Sequence, residues 1–220
     1  AGVGLYEYFE RRAFGKYIDG SRLFLYKVTR NLLKWEGDDG AYLRTTMGAM
    51  AMFGIVPEKY WPYQEHRFNE EPSAFLYSYA QNFQALLYYR LDVQGVSKDR
   101  LLERIKQHLR MGLPLIFGFT CYTSLDTGDH GNIPFPDRNE EVEGGHAVMA
   151  VGFDEKKEIT NCNNPKIKTK GAILIRNSWG TEWGNKGYGW LPYEYVLAGI
   201  ADDWWSMTKG EWIDTGKFGV

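Results

Sequence analysis

At Pro114 the hydrophobic period of the chain changes, and this constrains the fold more than any other feature. Before it, apolar residues recur every three to four positions. After it they alternate, with Leu115, Phe117, Phe119 and Cys121 separated by Ile116, Gly118, Thr120 and Tyr122. The first spacing lays apolar side chains along one stripe of a helix, and the second lays them on one face of a strand. Helices first and strands later is the order of an α+β protein with two unlike lobes. The expected division is a mainly helical lobe over 1–112, a mainly β lobe over 113–208 and a C-terminal tail over 209–220.

In the first part, Leu5, Tyr8, Phe9 and Ala13 fall at helical spacing with Glu7, Glu10, Arg11 and Arg12 between them, so 5–14 reads as an amphipathic helix. Its start resembles a chain entered mid-helix. Ser21 is placed to cap a second helix reaching Trp35, which Gly37-Asp38-Asp39-Gly40 would end, and a third helix is expected over 41–53. Pro57, Pro62 and Pro72 make 57–72 an irregular connection anchored by Tyr60, Trp61 and Tyr63. Ser97 opens another helix, with Leu101, Leu102, Ile105 and Leu109 on one face. Beyond Pro114, strands are expected at 115–121, 146–153, 172–176, 187–191 and 203–207, with loops at 126–139, 154–170 and 177–186.

Several function classes drop out on composition. The 26 basic and 28 acidic side chains leave a net charge of −2, without the basic footprint that nucleic acid demands. No apolar run approaches the roughly 18 residues of a membrane-spanning helix, so no membrane partner is expected. Two cysteines, Cys121 and Cys162, permit at most one disulfide, too few for a stapled scaffold, and fit a reducing, prokaryotic cytoplasmic setting. Of the four histidines, none sits in an HExxH or paired CxxC context, so neither a metal nor another cofactor is expected.

Two segments carry chemistry. His146 follows Gly144 and Gly145 and precedes Ala147-Val148-Met149-Ala150-Val151-Gly152, at the start of a buried strand, where a histidine is ordinarily a core or rim residue. Downstream, Asn177-Ser178-Trp179-Gly180 is followed by Trp183-Gly184 and Gly187-Tyr188-Gly189-Trp190. Together the blocks resemble the papain-like cysteine peptidases, in which a G-H-A-V strand carries a His and an N-S-W-G segment carries an Asn. Gly37–Gly40 and Pro57-Glu58-Lys59-Tyr60-Trp61-Pro62-Tyr63 resemble the helical lobe of prokaryote-type members.

The resemblance implies a papain-like two-lobed fold, its second lobe an antiparallel barrel-like sheet, with the active-site cleft between the lobes. It implies a thiol protease that hydrolyses peptide bonds through an acyl-enzyme and takes a peptide or protein as partner. His146 would be the base paired with a nucleophilic Cys, Asn177 would orient it and Trp179 would cover their hydrogen bond, while Gly40, Ala41 and Gly145 would meet the substrate. The Gln-and-Cys segment of the family is absent from this chain, and the residues after Ala1 resemble the helix that follows that Cys, so the nucleophile is expected just upstream of Ala1 and the chain alone would be inactive. Cys121 falls on the core-facing parity of a strand and Cys162 in a loop; neither precedes a helix whose dipole would help depress a thiol pKa. Two alternatives stand beside hydrolysis: a catalytically inactive papain-fold module or truncated enzyme that binds peptide, and acyl transfer to an amine.

Overall fold

The computed structural model describes residues 1–15, 18–125 and 129–210. Two units divide the chain, one joining Ala1 to Arg90–Ser206 and the other joining Gly2–Tyr89 to the segment from Met207.

In the Gly2–Tyr89 unit, α1 (Gly2–Phe14) begins three residues before its expected start and turns a different face inward. Val3, Leu5 and Tyr6 are buried as expected of apolar residues, but so are Glu7 and Glu10, whereas Tyr8 and Ala13 face solvent. Glu7 has a reason to be inside: its Oε1 accepts the Gly20 N–H at 3.0 Å, so a buried carboxylate is matched by a buried donor. Ser21 caps α2 (Arg22–Leu33), its Oγ accepting the Phe24 N–H at 3.1 Å and donating to the Trp61 carbonyl at 2.6 Å. The helix stops short of Trp35 because Lys34 adopts a left-handed conformation that turns its N–H back to the last carbonyls. α2 packs against α3 (Leu43–Met52), which buries Met47, Ala49 and Met50. The connection after it holds only a short 3-10 turn at Glu65–Arg67. Two further elements, α4 (Ala74–Ala80) and β1 (Ala85–Arg90), arise where no element was expected. Leu76, Tyr79 and Ala80 form the buried stripe of α4, a face of fewer than two turns in an aromatic-rich segment.

In the Arg90–Ser206 unit, α5 (Lys98–Arg110) starts at the expected cap, Ser97, and buries Leu101, Leu102 and Ile105 together with Lys106. Lys106 reaches Glu155 at 3.2 Å, which explains its place on the inner face. The strands are β2 (Leu115–Tyr122), β3 (Val142–Thr160), β4 (Lys168–Arg176), β5 (Tyr188–Pro192) and β6 (Ala201–Gly210), with a short α6 (Tyr193–Leu197) between the last two. They run in the order β6-β2-β3-β4-β5 with antiparallel pairing, an open sheet that is barrel-like only loosely. Phe117 of β2 stacks on Trp204 of β6 with ring centroids 3.8 Å apart, at the centre of the core.

The expected loop at 154–170 is instead the outer half of a long β3–β4 hairpin, with Glu158 opposite Lys170 and Thr160 opposite Lys168. Most of its side chains are exposed, so alternation there carries no apolar signal; Ile159 and Thr169 alone turn inward in the paired stretch. Only the turn over 161–167 is irregular. Positions 126–128 of the expected 126–139 loop, and 211–220 of the tail, lie outside the described residues.

Candidate active site

His146 stands on β3 directly opposite Phe119 of β2, near the end of the strand where Gly145 pairs with Thr120 and Gly144 with Cys121. β4 ends at Arg176, and Asn177 follows at once, its N–H donating to the Gly187 carbonyl at 2.9 Å. That bond closes a turn whose Gly187 N–H returns to the Trp183 carbonyl at 2.8 Å. Gly184 holds φ +58, and a Cβ there would run into the Tyr188 carbonyl, so the fold of this turn requires glycine at that position.

The turn brings Asn177 onto the imidazole: His146 Nε2 and Asn177 Oδ1 are 2.8 Å apart. Asn177 Oδ1 also accepts the Ser178 N–H at 2.8 Å, which identifies it as the amide oxygen. An oxygen accepts only, so Nε2 carries a proton and donates, and in the neutral ring Nδ1 is the nitrogen with the lone pair.

Aromatic rings wall the imidazole. Trp179 stacks on it with centroids 4.6 Å apart, Phe119 meets it edge-on at 5.8 Å, and Trp183 braces Trp179 edge-on at 5.6 Å. Trp179 is itself 44% exposed, so it forms the layer between the ring and solvent. Burial pushes the His146 pKa below its ordinary value, and the Asn177 hydrogen bond pulls the other way.

The structure thus brings His146, Asn177 and Trp179 together. Gly145 adjoins them on β3, with open space where a Cβ would lie. Gly40 and Ala41 lie in the other unit, between α2 and α3; Gly40 has φ +86 and donates its N–H to the Tyr26 hydroxyl at 3.1 Å. Cys121 is buried on β2, and Cys162 is exposed in the β3–β4 turn. Two ring neighbours, Phe119 and Trp183, were not singled out from sequence as part of the site. Phe119 shares the apolar parity of β2, but only the β2–β3 register discloses that it faces His146. Among the described residues, no group of three or more His, Cys, Asp or Glu side chains is arranged to hold a metal ion, and no helix is long and apolar enough to cross a membrane.

A family model described as papain family cysteine protease matches residues 29–207. An uncharacterized peptidase C1-like protein of Acanthamoeba polyphaga mimivirus is 33% identical over 195 residues, covering 86% of this chain and 58% of that protein. A cysteine protease of Blomia tropicalis is 24% identical over 164 residues, covering 74% of this chain and 43% of that protein. The chain therefore spans about half the length of these curated relatives. Among solved structures, xylellain, a cysteine protease from Xylella fastidiosa, superposes with a TM-score of 0.75 at 31% identity, covering 96% of this chain and 77% of that one. Clostridial Cwp84 after propeptide cleavage shares the fold, with a TM-score of 0.69 at 21% identity, covering 98% of this chain and 52% of that one.

Proposed function

The chain belongs to the papain family of cysteine proteases, and from that premise we propose that its protein hydrolyses peptide bonds by a Cys-His-Asn mechanism. The observation that carries this reading is the hydrogen bond from His146 Nε2 to Asn177 Oδ1. It holds one ring proton in place and leaves Nδ1 to exchange a proton with a thiol, which is the division of labour an imidazole needs to serve first as base and then as acid.

The nucleophile is a cysteine just upstream of Ala1. Support comes from the residues after Ala1, which resemble the helix that follows the nucleophilic Cys in the family. The thiol gives its proton to Nδ1, and the thiolate attacks the scissile carbonyl. The imidazolium then protonates the departing amine, leaving an acyl-enzyme that water hydrolyses. Trp179 keeps water from the His146–Asn177 bond, and Gly145, Gly40 and Ala41 meet the peptide through their main chain.

The test uses the natural full-length protein with a fluorogenic peptide and a thiol-directed peptidyl inactivator. Label on an upstream Cys, and hydrolysis abolished by His146→Ala, are the expected results. Undiminished turnover by the His146 variant overturns the assignment. A residue other than Cys upstream, with no labelling, overturns hydrolysis in favour of peptide binding alone.

A further inference from the structure

Arg30 of α2 is fully buried, yet every acceptor it meets is neutral. Its Nη1 donates to the Phe68 carbonyl at 2.9 Å, and its Nη2 donates to the Glu36 carbonyl and to Asn69 Oδ1, both at 2.6 Å. Its guanidinium lies 5.0 Å from the ring centres of both Tyr26 and Phe68. A cation taken out of water without a carboxylate is an expensive way to fill space, so its geometric work needs a reason. That work is to grip the start of the 36–40 turn, where Asn69 Nδ2 donates to the same Glu36 carbonyl at 2.7 Å.

Tyr26, one helical turn before Arg30 and packed against it, grips the other end. Its hydroxyl donates to Asp38 Oδ1 at 2.6 Å and accepts the Gly40 N–H at 3.1 Å. The turn is therefore held at Glu36, Asp38 and Gly40 by two side chains of one helix. Directly after the last of these anchors, the Gly40 carbonyl and both main-chain groups of Ala41 have no hydrogen bond among the described residues. A Cβ on Gly40 would meet nothing within 4 Å, so the space beside it is open.

We propose that Tyr26 and Arg30 are positioning residues that fix the main chain of Gly40 and Ala41 in the orientation that pairs with an extended peptide. This rests on the reading of Gly40 and Ala41 as substrate contacts. Neither side chain touches the reacting atoms; each acts through the turn.

The test compares Tyr26→Phe, Tyr77→Phe and Gly40→Ala in the natural full-length protein, with an extended peptide amide as substrate. Tyr77 is the control, since its hydroxyl donates to Glu71 at 2.6 Å in the same unit without reaching the turn. Loss of the Tyr26 hydroxyl, which removes the Asp38 and Gly40 hydrogen bonds together, is expected to raise KM about fivefold in Tyr26→Phe while kcat moves less than about twofold. Exchange of the Gly40 amide with deuterium should quicken by a similar factor, and Tyr77→Phe should leave KM in place. An unchanged KM in Tyr26→Phe, or an equal rise in Tyr77→Phe, overturns the inference when Gly40→Ala still raises KM. An unchanged KM in Gly40→Ala shows instead that the underlying reading of Gly40 as a substrate contact has failed.

Discussion

The Trp179 indole lies over the His146 imidazole with the two planes only 21° apart. Stacked in this way, and braced edge-on by Trp183, it covers one face of the imidazole, and burial of that ring disfavours its charged form.

Trp179→Ala should therefore rehydrate the ring and move the His146 pKa up, toward the ordinary histidine value, because burial is the leading cause of its lowering. The titration of the imidazole proton resonances by NMR checks this on the chain as it stands, with no catalysis required. A pKa that stays put or falls would show that Trp179 does not govern the ring's hydration.

Asn177→Ala should shift the same titration in the opposite direction. The amide oxygen stabilises the protonated ring, so removing it takes away the one influence that raises the pKa. In the full-length protein, hydrolysis should fall about tenfold, the equivalent of one hydrogen bond, and less than in His146→Ala, since orientation is lost while the base is kept. Losses equal to those of His146→Ala would assign Asn177 a larger part than orientation.

His146 and Asn177 are legible in the sequence because each lies in a dense local block of glycine, aromatic and polar residues. Those blocks specify a strand start and a tight turn without reference to the rest of the chain. The face of α1 was not legible, since a buried Glu7 is explained only by the Gly20 N–H, which the fold supplies. The outer half of the β3–β4 hairpin escaped for a different reason: strand pairing there is carried by the backbone while the side chains remain in water. In the sequence Arg30 and Tyr26 read only as positions of a helix, because their partners at Glu36, Asp38, Gly40 and Phe68 are backbone or loop groups that no periodicity announces.

The lowered His146 pKa links folding to pH with a definite sign. The unfolded chain takes up a proton near the ordinary value of 6.5, before the folded protein does, so the unfolded state binds more protons just below that value. Stability should rise with pH from the folded pKa up to about 6.5, level off above it, and be lost as pH falls through that window. Urea midpoints measured from pH 7 to pH 5 should drop more in the wild type than in His146→Gln. Carboxylates held below their usual range, such as Asp92 and Glu140, act at lower pH and leave this comparison intact.

Asn161 is a buried polar residue whose loss should be felt in the Arg90–Ser206 unit. It is 1% exposed, and its amide joins the β3–β4 turn to the segment before β3. Nδ2 donates to the Phe135 carbonyl at 2.9 Å and to Glu140 Oε1 at 2.7 Å, while Oδ1 accepts the N–H groups of Asn163 at 2.8 Å and Asn164 at 3.1 Å. Truncation leaves those part-buried donors and acceptors without their partner, and an unmade buried hydrogen bond costs more than a made one contributes. Asn161→Ala should destabilise the protein by about 2–4 kcal/mol, whereas exposed Asn163→Ala should cost less than about 0.5 kcal/mol. Asn161→Asp should be no milder, because it sets a second carboxylate against Glu140. Denaturant midpoints for the three variants decide the matter: a cost for Asn161→Ala as small as that of Asn163→Ala would mean that water replaces the amide and that the turn is not held by it.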